Sequence, residues 1–233
     1  MRAMILAAGL GTRMRPLTDH CPKPLLRAGH DSLIGHLLHG LRKAGLTDIV
    51  VNHSWHGGVL EKALGSGDAY GVRITYSREE QPLETAGGIR RALPLLDGGN
   101  DQPFAVVNGD IWTDFDFSHL GAAAEELGHR QGLLVLVDNP AHHPQGDFSL
   151  AADGTVSADG QPRLTFAGIG LYRPSLFATL PDGPWPLAPL LREAMQQHRI
   201  GGLHYRGAWQ DIGTPQRLHD LDASLQKLPP VRS

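Results

Sequence analysis

Through its first 137 residues the chain alternates short apolar runs with segments of helical periodicity, and this alternation restricts the possible folds more than any other feature. Turn-forming residues bound each apolar run, which is typical of strands. Strands that alternate with helices form a parallel sheet with crossover helices on its faces. The sequence therefore indicates a Rossmann-like, doubly wound α/β core, with strands predicted at residues 3–7, 49–52, 73–76, 104–107 and 133–137.

The clearest predicted helix covers residues 32–44. Asp31 can cap its start, and Gly45 can end it because glycine readily adopts the left-handed conformation of a C-terminal cap. Between them, apolar side chains recur at helical spacing, at Leu33, Ile34, Leu37, Leu38 and Leu41. This single apolar stripe predicts a crossover helix between the first two strands.

After Asn139 the pattern changes to short strands separated by Asp-Gly and proline turns. A last helix is predicted to have Thr214 as its cap and Pro215 in its first turn, and to run to about residue 225. The whole is predicted to be a single domain at 1–228, with a core at 1–138, a small mixed or antiparallel extension over it at 139–228, and a flexible tail at 229–233. Within the extension we expect strands at 148–150, 155–157, 164–172 and 203–206, and a helix near 187–197.

Composition excludes several classes of function. A hydrophobic content of 41% can fill the core of a globular protein of 233 residues. The sequence has no run of 18 apolar residues and no segment typical of a signal peptide, so we expect a cytoplasmic protein without a membrane partner. Cys21 is the single cysteine, which excludes an internal disulfide framework and a multi-cysteine zinc site. A net charge of −3 argues against nucleic acid as a partner.

A glycine-rich stretch, LAAGLGTRMRPLT, follows the first predicted strand. A dinucleotide-binding fingerprint requires a third glycine where this chain has Met14, and it also requires an acidic residue after the second strand. A P-loop requires GxxxxGK followed by Ser or Thr, a string that the sequence lacks. Both interpretations therefore fail.

Two cations accompany the glycines. Arg13 lies in the turn, and Lys23 lies between two prolines in the motif PKPL. Backbone N–H groups of a glycine turn bind phosphate oxygens, an arginine adds a forked clamp, and a lysine adds a point charge. We therefore predict a site for a polyphosphate at this loop.

These motifs resemble the N-terminal signature of the sugar-1-phosphate nucleotidylyltransferases. The similarity continues in EQPLETAGGI, VVNGDIWTDFD and WQDIGTPQRL, in the order that the family uses, and it covers nearly the whole chain. It implies a fold of the nucleotide-diphospho-sugar transferase type, with nucleotide bound by the core and sugar phosphate by the extension. It also implies attack of a sugar phosphate on the α-phosphorus of a nucleoside triphosphate. Such a site supplies alignment and neutralisation of charge.

The resemblance further implies a Mg²⁺ cofactor with Asp110 and Asp211 as its protein ligands. Asp110 follows a predicted strand, where α/β folds place their ligands. Two carboxylates suit Mg²⁺, which keeps waters and substrate phosphates as its remaining ligands. Asp114 and Asp116 are nearby alternatives, for which helix capping before Ser118 is the favoured role.

For the nucleotide, the resemblance implies contacts with the glycine loop and with the segment after the third strand. Arg13 and Lys23 are the predicted catalytic residues. The predicted nucleotide-binding residues are Ala8, Gly9, Gly11, Thr12, Arg13, Lys23, Glu79, Gly87, Gly88 and Asn108. Many relatives have glycine where this chain has Glu84, so the identity of the base remains open.

The predicted residues for the acceptor sugar are Glu84, Asn108, Asn139, Gly146, Asp147 and Gly168. Arg163, Arg206 or the pair His142–His143 could meet a sugar carboxylate.

Within the family, segments such as VNHSWHG, LVDNPAHH and HYRGAWQDIGT are similar to the N-acetylmuramate-1-phosphate uridylyltransferases. The expected partners are accordingly UTP and N-acetylmuramic acid 1-phosphate, and the protein is expected to be a monomer or a small homo-oligomer. Mannose-1-phosphate guanylyltransferase, or another hexose-1-phosphate nucleotidylyltransferase, is the alternative within the enzyme class. A catalytically silent protein that senses nucleotide sugars is the alternative from another class, although it should have lost Lys23, Asp110 or Asp211.

Overall fold

The structure, a computed structural model, describes residues 1–227, so the predicted tail at 229–233 lies outside the described residues. The strands are β1 (Ala3–Leu6), β2 (Arg27–Ala28), β3 (Asp31–Ser32), β4 (Asp48–His53), β5 (Arg73–Arg78), β6 (Phe104–Asn108), β7 (Ile111–Thr113), β8 (Gly132–Val137), β9 (Phe148–Leu150), β10 (Val156–Ser157), β11 (Arg163–Tyr172), β12 (Ile200–Tyr205) and β13 (Trp209–Asp211). The helices are α1 (Leu33–Lys43), α2 (Gly57–Leu64), α3 (Glu84–Leu96), α4 (Ser118–Glu125), α5 (Leu187–Gln196) and α6 (Pro215–Leu225).

One large sheet runs through both halves of the chain. Its main strands follow the order β5-β4-β1-β6-β11-β8-β12. The pairs β1–β4, β1–β6, β4–β5 and β8–β12 are parallel, whereas β11 is antiparallel to both of its main neighbours, β6 and β8. The strands β9 and β10 extend the sheet from the start of β11. The predicted mostly parallel core is therefore confirmed, but the second half enters the sheet instead of lying only over it.

Helices cover both faces of this sheet, as a doubly wound fold requires. On one face the side chains of α1, α2 and α4 share a buried cluster with Ala3 and Ile5 of β1. On the other face α3 and α5 pack against Met4, because successive side chains of a strand point to opposite faces. Fully burying a side chain such as Ile34 contributes about 1.5–3 kcal/mol relative to leaving it exposed.

The start of α1 differs from the prediction by one residue. Ser32, not Asp31, is the cap, and its Oγ accepts a hydrogen bond from the N–H of Gly35 at 3.1 Å. Asp31 instead accepts from the N–H of Ser32 at 2.7 Å. At the other end Gly45 is left-handed, with φ +77°, as predicted.

A third apolar cluster joins the last helix to the first loop. Met14 is fully buried there with Leu218 and Leu221 of α6. Thr214 caps α6 by accepting a hydrogen bond from the N–H of Arg217 at 3.3 Å, and Pro215 occupies the first turn, as predicted. The glycine loop is thereby anchored at Met14, the position at which a dinucleotide-binding fingerprint would have its third glycine.

Candidate active site

An open cleft of about 430 Å³ lies where β1, β4, β5 and β6 end. Parallel strands bring their carboxyl ends to one edge of the sheet, where α/β folds bind ligands. The glycine loop after β1 forms the centre of this cleft, with the loop after β5 on one side and the end of β6 on the other. Ten of the predicted site residues line it: Ala8, Gly9, Gly11, Thr12, Arg13, Lys23, Glu79, Glu84, Asn108 and Asp110.

The ion pair between Lys23 and Asp110 lies at the β6 side of the cleft. Lys23 is buried at the start of a short 3-10 helix that follows Pro22, and its Nζ donates to Oδ2 of Asp110 at 2.6 Å. The side chain of Asp110 keeps 40% of its surface exposed. The pair therefore holds a lysine ammonium at the cleft wall beside a carboxylate that remains accessible.

Pairing of β7 with β13 brings Asp211 next to Asp110. Asp211 is opposite Ile111 in this pair, and the N–H of Ile212 donates to the carbonyl oxygen of Asp110 at 2.9 Å. The carboxylate of Asp211 forms an ion pair with Arg217 of α6. The two predicted metal ligands, 101 positions apart in the sequence, are therefore neighbours in the fold.

One carboxylate oxygen of Asp211 is orphaned. Oδ1 is buried and makes no hydrogen bond, although Nε2 of His142 lies 2.7 Å from it. Nε2 of the adjacent His143 lies 3.1 Å from Asp147 instead, so the two histidines contact different carboxylates. Within residues 1–227 no cluster of three or more His, Cys, Asp or Glu side chains could hold a metal ion. For a metal ion at this place, the chain itself therefore offers the carboxylates of Asp110 and Asp211.

The other two acidic residues of this region have structural partners. Oδ1 of Asp116 accepts from the N–H of Ser118 at 2.9 Å, and this hydrogen bond lowers the pKa of Asp116. Helix capping is therefore confirmed for Asp116. Asp114 instead accepts from the N–H of Ala208 at 2.8 Å and from the hydroxyl of Tyr205, so capping is wrong for Asp114. Burial, and then this hydrogen bond, raise the pKa of Tyr205.

Asn108 and Gly168 meet at the end of β6. Asn108 lines the cleft, and Gly168 lies at an irregularity in β11 with φ +71°. A Cβ atom at position 168 would lie 2.6 Å from Nδ2 of Asn108. Only glycine combines this backbone conformation with so close an approach. Gly168 itself is outside the cleft wall but fixes the place of a side chain within it.

Gly87 and Gly88 lie on α3, outside the cleft wall. The N–H groups of Ala86 and Gly87 donate to the carbonyl oxygen of Trp185, so a segment of the second half covers the start of this helix. A Cβ atom at position 87 would lie 2.2 Å from the carbonyl oxygen of Gly183. The predicted close approach to Gly87 exists, but the group that approaches it is the carbonyl oxygen of Gly183 in the protein chain itself.

Asn139, Gly146 and Asp147 also lie outside this cleft, on the loop between β8 and β9. Asn139 donates to the carbonyl oxygen of Arg163 at 2.9 Å, and Asp147 accepts from the N–H of Phe166 at 2.8 Å. Gly146 is left-handed, with φ +61°, and packs against Asn139. The bond that Asn139 donates and the bond that Asp147 accepts thus tie the loop to β11, and the structure does not bring these three residues to the cleft with the others.

Two features of the cleft were not predicted. Asn52, at the end of β4, is buried in the cleft floor and hydrogen-bonded to Glu79 at 2.7 Å. The signal available in the sequence was a polar residue at the end of an apolar strand. Glu84 has φ +61°, a conformation that a non-glycine residue rarely adopts and that marks functional sites.

Comparisons with known proteins identify the family of the chain. Residues 2–165 match the model of the family described as nucleotidyl transferase. The chain is 52% identical over 228 residues to a protein of Neisseria meningitidis named N-acetylmuramate alpha-1-phosphate uridylyltransferase, which covers 96% of this chain and 97% of that protein. It is 32% identical to a mannose-1-phosphate guanyltransferase of Aspergillus fumigatus over 93% of this chain and 62% of that protein.

Among solved structures, the fold is similar to that of a Bacillus anthracis protein provisionally named glucose-1-phosphate thymidylyltransferase and crystallised with sucrose. The TM-score is 0.84 and the sequence identity 20%, with 100% of this chain and 98% of that one covered. At this identity the likeness establishes a shared fold.

Proposed function

The chain belongs to the nucleotidyl transferase family, and on that premise we propose that it transfers a uridylyl group from UTP to N-acetyl-α-muramic acid 1-phosphate. The observation that carries the proposal is the Lys23–Asp110 pair beside the glycine loop, in a cleft at the carboxyl ends of the parallel strands. The choice of substrates rests on the named activity of the Neisseria meningitidis relative, which is similar along almost its whole length.

In the proposed reaction an oxygen of the sugar phosphate attacks the α-phosphorus of UTP. The bond from that phosphorus to the bridging oxygen of the β-phosphate breaks, and pyrophosphate leaves. A phosphate monoester is already ionised at neutral pH, so the nucleophile requires no general base. The residues must align the two substrates and neutralise the charge that gathers between them.

The distribution of charge across the cleft orients the nucleotide in this proposal. Lys23 and Arg13 provide positive charge for the phosphates, and the loop N–H groups at Gly9 and Gly11 can donate to phosphate oxygens. The opposite side, after β5, carries the exposed carboxylate of Glu84, which would repel phosphate. The base therefore lies towards β5 and the triphosphate towards β6.

The residues also fit Mg²⁺. Asp110 has an exposed carboxylate, and Asp211 has a buried oxygen that makes no hydrogen bond, with Nε2 of His142 2.7 Å away; carboxylate oxygens are the ligands that this ion prefers. When bound, Mg²⁺ would neutralise charge on the phosphates of the nucleotide. We propose that Asp110 and Asp211 hold it, while Arg217 fixes the carboxylate of Asp211 through their ion pair.

For the acceptor sugar we propose a position next to Asn108, whose amide can hydrogen-bond a hydroxyl or acetamido group. Gly168 holds that side chain by close packing. Asn139 and Asp147 shape the neighbouring loop through their hydrogen bonds to β11, and Gly146 packs against Asn139. We propose that the product returns a cell-wall sugar to peptidoglycan synthesis and that the enzyme acts in the cytoplasm. Among residues 1–227 no helix is long and apolar enough to cross a membrane.

The test is a comparison of initial rates of pyrophosphate release for UTP or GTP, each with N-acetylmuramic acid 1-phosphate or mannose 1-phosphate. We expect the highest kcat/KM for UTP with the first sugar. Preference for GTP with mannose 1-phosphate would instead support the guanylyltransferase alternative. Binding of nucleotide sugars without any turnover would support a silent sensor.

Two matched variants test the proposed metal site. Asp110→Asn keeps the size of the side chain but removes its charge, and we expect kcat to fall by about 10²-fold or more, as for loss of one charge-stabilising group. Asp116→Asn changes the same functional group at the cap of α4, and its kcat should stay near that of the unaltered protein. Equal rates for the two variants would contradict the proposed metal site.

A further inference from the structure

Two buried polar side chains, Asn52 and Glu79, are joined beneath the cleft where β4 and β5 end. Nδ2 of Asn52 donates to Oε1 of Glu79 at 2.7 Å. Only 2% of Asn52 and 6% of Glu79 is exposed. Removal of a carboxylate from water is unfavourable unless hydrogen bonds replace the lost hydration. A pair this deeply buried therefore needs a complete set of partners.

The remaining hydrogen bonds of the pair reach the two loops that flank the cleft. Oδ1 of Asn52 accepts from the N–H of Ala7, at the start of the glycine loop, at 2.9 Å. Oε2 of Glu79 accepts from the N–H of Leu83, which precedes the left-handed Glu84, at 3.1 Å. One chain of three hydrogen bonds thus fixes the glycine loop relative to the loop after β5.

The helix α3 packs closely on this pair. A Cβ atom at Gly88 would lie 2.7 Å from Oε1 of Glu79 and 2.9 Å from Nδ2 of Asn52. Gly88 therefore packs directly on the hydrogen bond between the two side chains. The absence of a side chain at position 88 allows this contact. The pair is therefore held by packing against α3 as well as by its hydrogen bonds to Ala7 and Leu83.

We propose that Asn52 and Glu79 are positioning residues for nucleotide binding, a role that rests on the proposed function. Glu79 acts through the N–H of Leu83 and through Asn52, and not by direct contact of its charge with the base. Both of its carboxylate oxygens are already engaged by protein donors. The pair sets the distance between the loop that binds phosphates and the loop that faces the base.

An exchange of amide and carboxylate tests this role. In Asn52→Asp two carboxylates face each other. In Glu79→Gln the introduced NH2 group faces another donor, which is either the N–H of Leu83 or the NH2 group of Asn52. The double variant Asn52→Asp/Glu79→Gln can form all three hydrogen bonds again. The introduced carboxylate accepts from Ala7 and from the introduced amide, whose oxygen accepts from Leu83. The net charge equals that of the unaltered protein.

The measurements are KM for UTP, KM for the sugar phosphate, kcat, and calorimetric titration with UTP. Loss of one or more buried hydrogen bonds should raise KM for UTP by about 10-fold or more in Asn52→Asp, with a smaller rise in Glu79→Gln. We expect kcat and the sugar-phosphate KM to stay within about threefold, because the loss affects ground and transition states alike. The double variant should bring KM for UTP back to within about threefold of the original.

Asn100→Asp is the matched control, since it makes the same substitution at an exposed residue before β6, at the other end of that strand. Its kinetic constants should not change. If the double variant binds UTP as weakly as the worse single variant, the charge of Glu79 acts directly and the positioning role is wrong. If the single variants bind UTP normally, the role is equally wrong. If the unaltered protein neither binds nor uses UTP, the proposed function fails and this inference fails with it.

Discussion

Replacement of Glu84 by glycine should stabilise the protein, although Glu84 lines the cleft. Its φ of +61° lies in the left-handed region, which is unfavourable for a residue with a Cβ atom by about 1–2 kcal/mol. Glycine removes this penalty, but its greater freedom in the unfolded chain offsets about 0.5–1 kcal/mol of the gain. We expect a net stabilisation of about 0.5–1 kcal/mol for Glu84→Gly.

Glu84→Ala is the reference variant, because it removes the same carboxylate but keeps the Cβ atom in the left-handed conformation. The free energy of unfolding of the glycine variant should exceed that of the alanine variant by about 1 kcal/mol. For a chain of this length that difference corresponds to a shift in Tm of about 2–4 °C.

The assay is equilibrium unfolding in urea and thermal unfolding, both without ligand, followed by kinetics with UTP. An alanine variant as stable as the glycine variant would show that the backbone at position 84 is not strained, and the reasoning would be refuted. If the strain is retained for function, the more stable Glu84→Gly should have a lower kcat/KM for UTP than the original chain.

Three further predictions concern stability. Gly168→Ala should lower the free energy of unfolding by about 2 kcal/mol in urea, because its Cβ atom would collide with Asn108 in a left-handed conformation. Thr214→Ala should remove the cap of α6 and lower the same free energy by about 1 kcal/mol; no change would mean that the cap is not formed in solution. A hydrogen bond from Arg78 holds the pKa of Glu61 at about 2, below its ordinary 4.5, so its contribution to stability is present above that ordinary value and is lost as the pH falls towards 2. Unfolding measured across this range should depend less on pH in Glu61→Gln.

Local pattern was sufficient to predict most elements of the sheet and the longest crossover helix. The apolar stripe of α1 depends on spacing within eleven residues, and its end at Gly45 depends on one left-handed residue. The same locality explains the error at its start, since Asp31 and Ser32 are both good caps and only the backbone geometry selects between them.

The order of the strands within the sheet could not be predicted from the sequence. The predicted strand at 133–137 comes next in the sequence after the predicted strand at 104–107, but β11 lies between β6 and β8 in the sheet. Nothing in the composition of either strand records which neighbour it takes, because both are buried apolar segments. The loop that carries Asn139 and Asp147 is consequently tied to β11 and lies away from the cleft wall.

By itself the sequence determined the α/β class, and it predicted a polyphosphate site at the glycine loop with Arg13 and Lys23 and a metal site at Asp110 and Asp211. Tertiary structure alone decided that Asp211 lies beside Asp110, that Asn52 and Glu79 form a buried pair, and that Gly88 packs on that pair. The physical reason is distance along the chain. Helical and strand periodicities are properties of neighbouring residues, whereas these contacts depend on strand order and register, which the packing of the whole sheet sets.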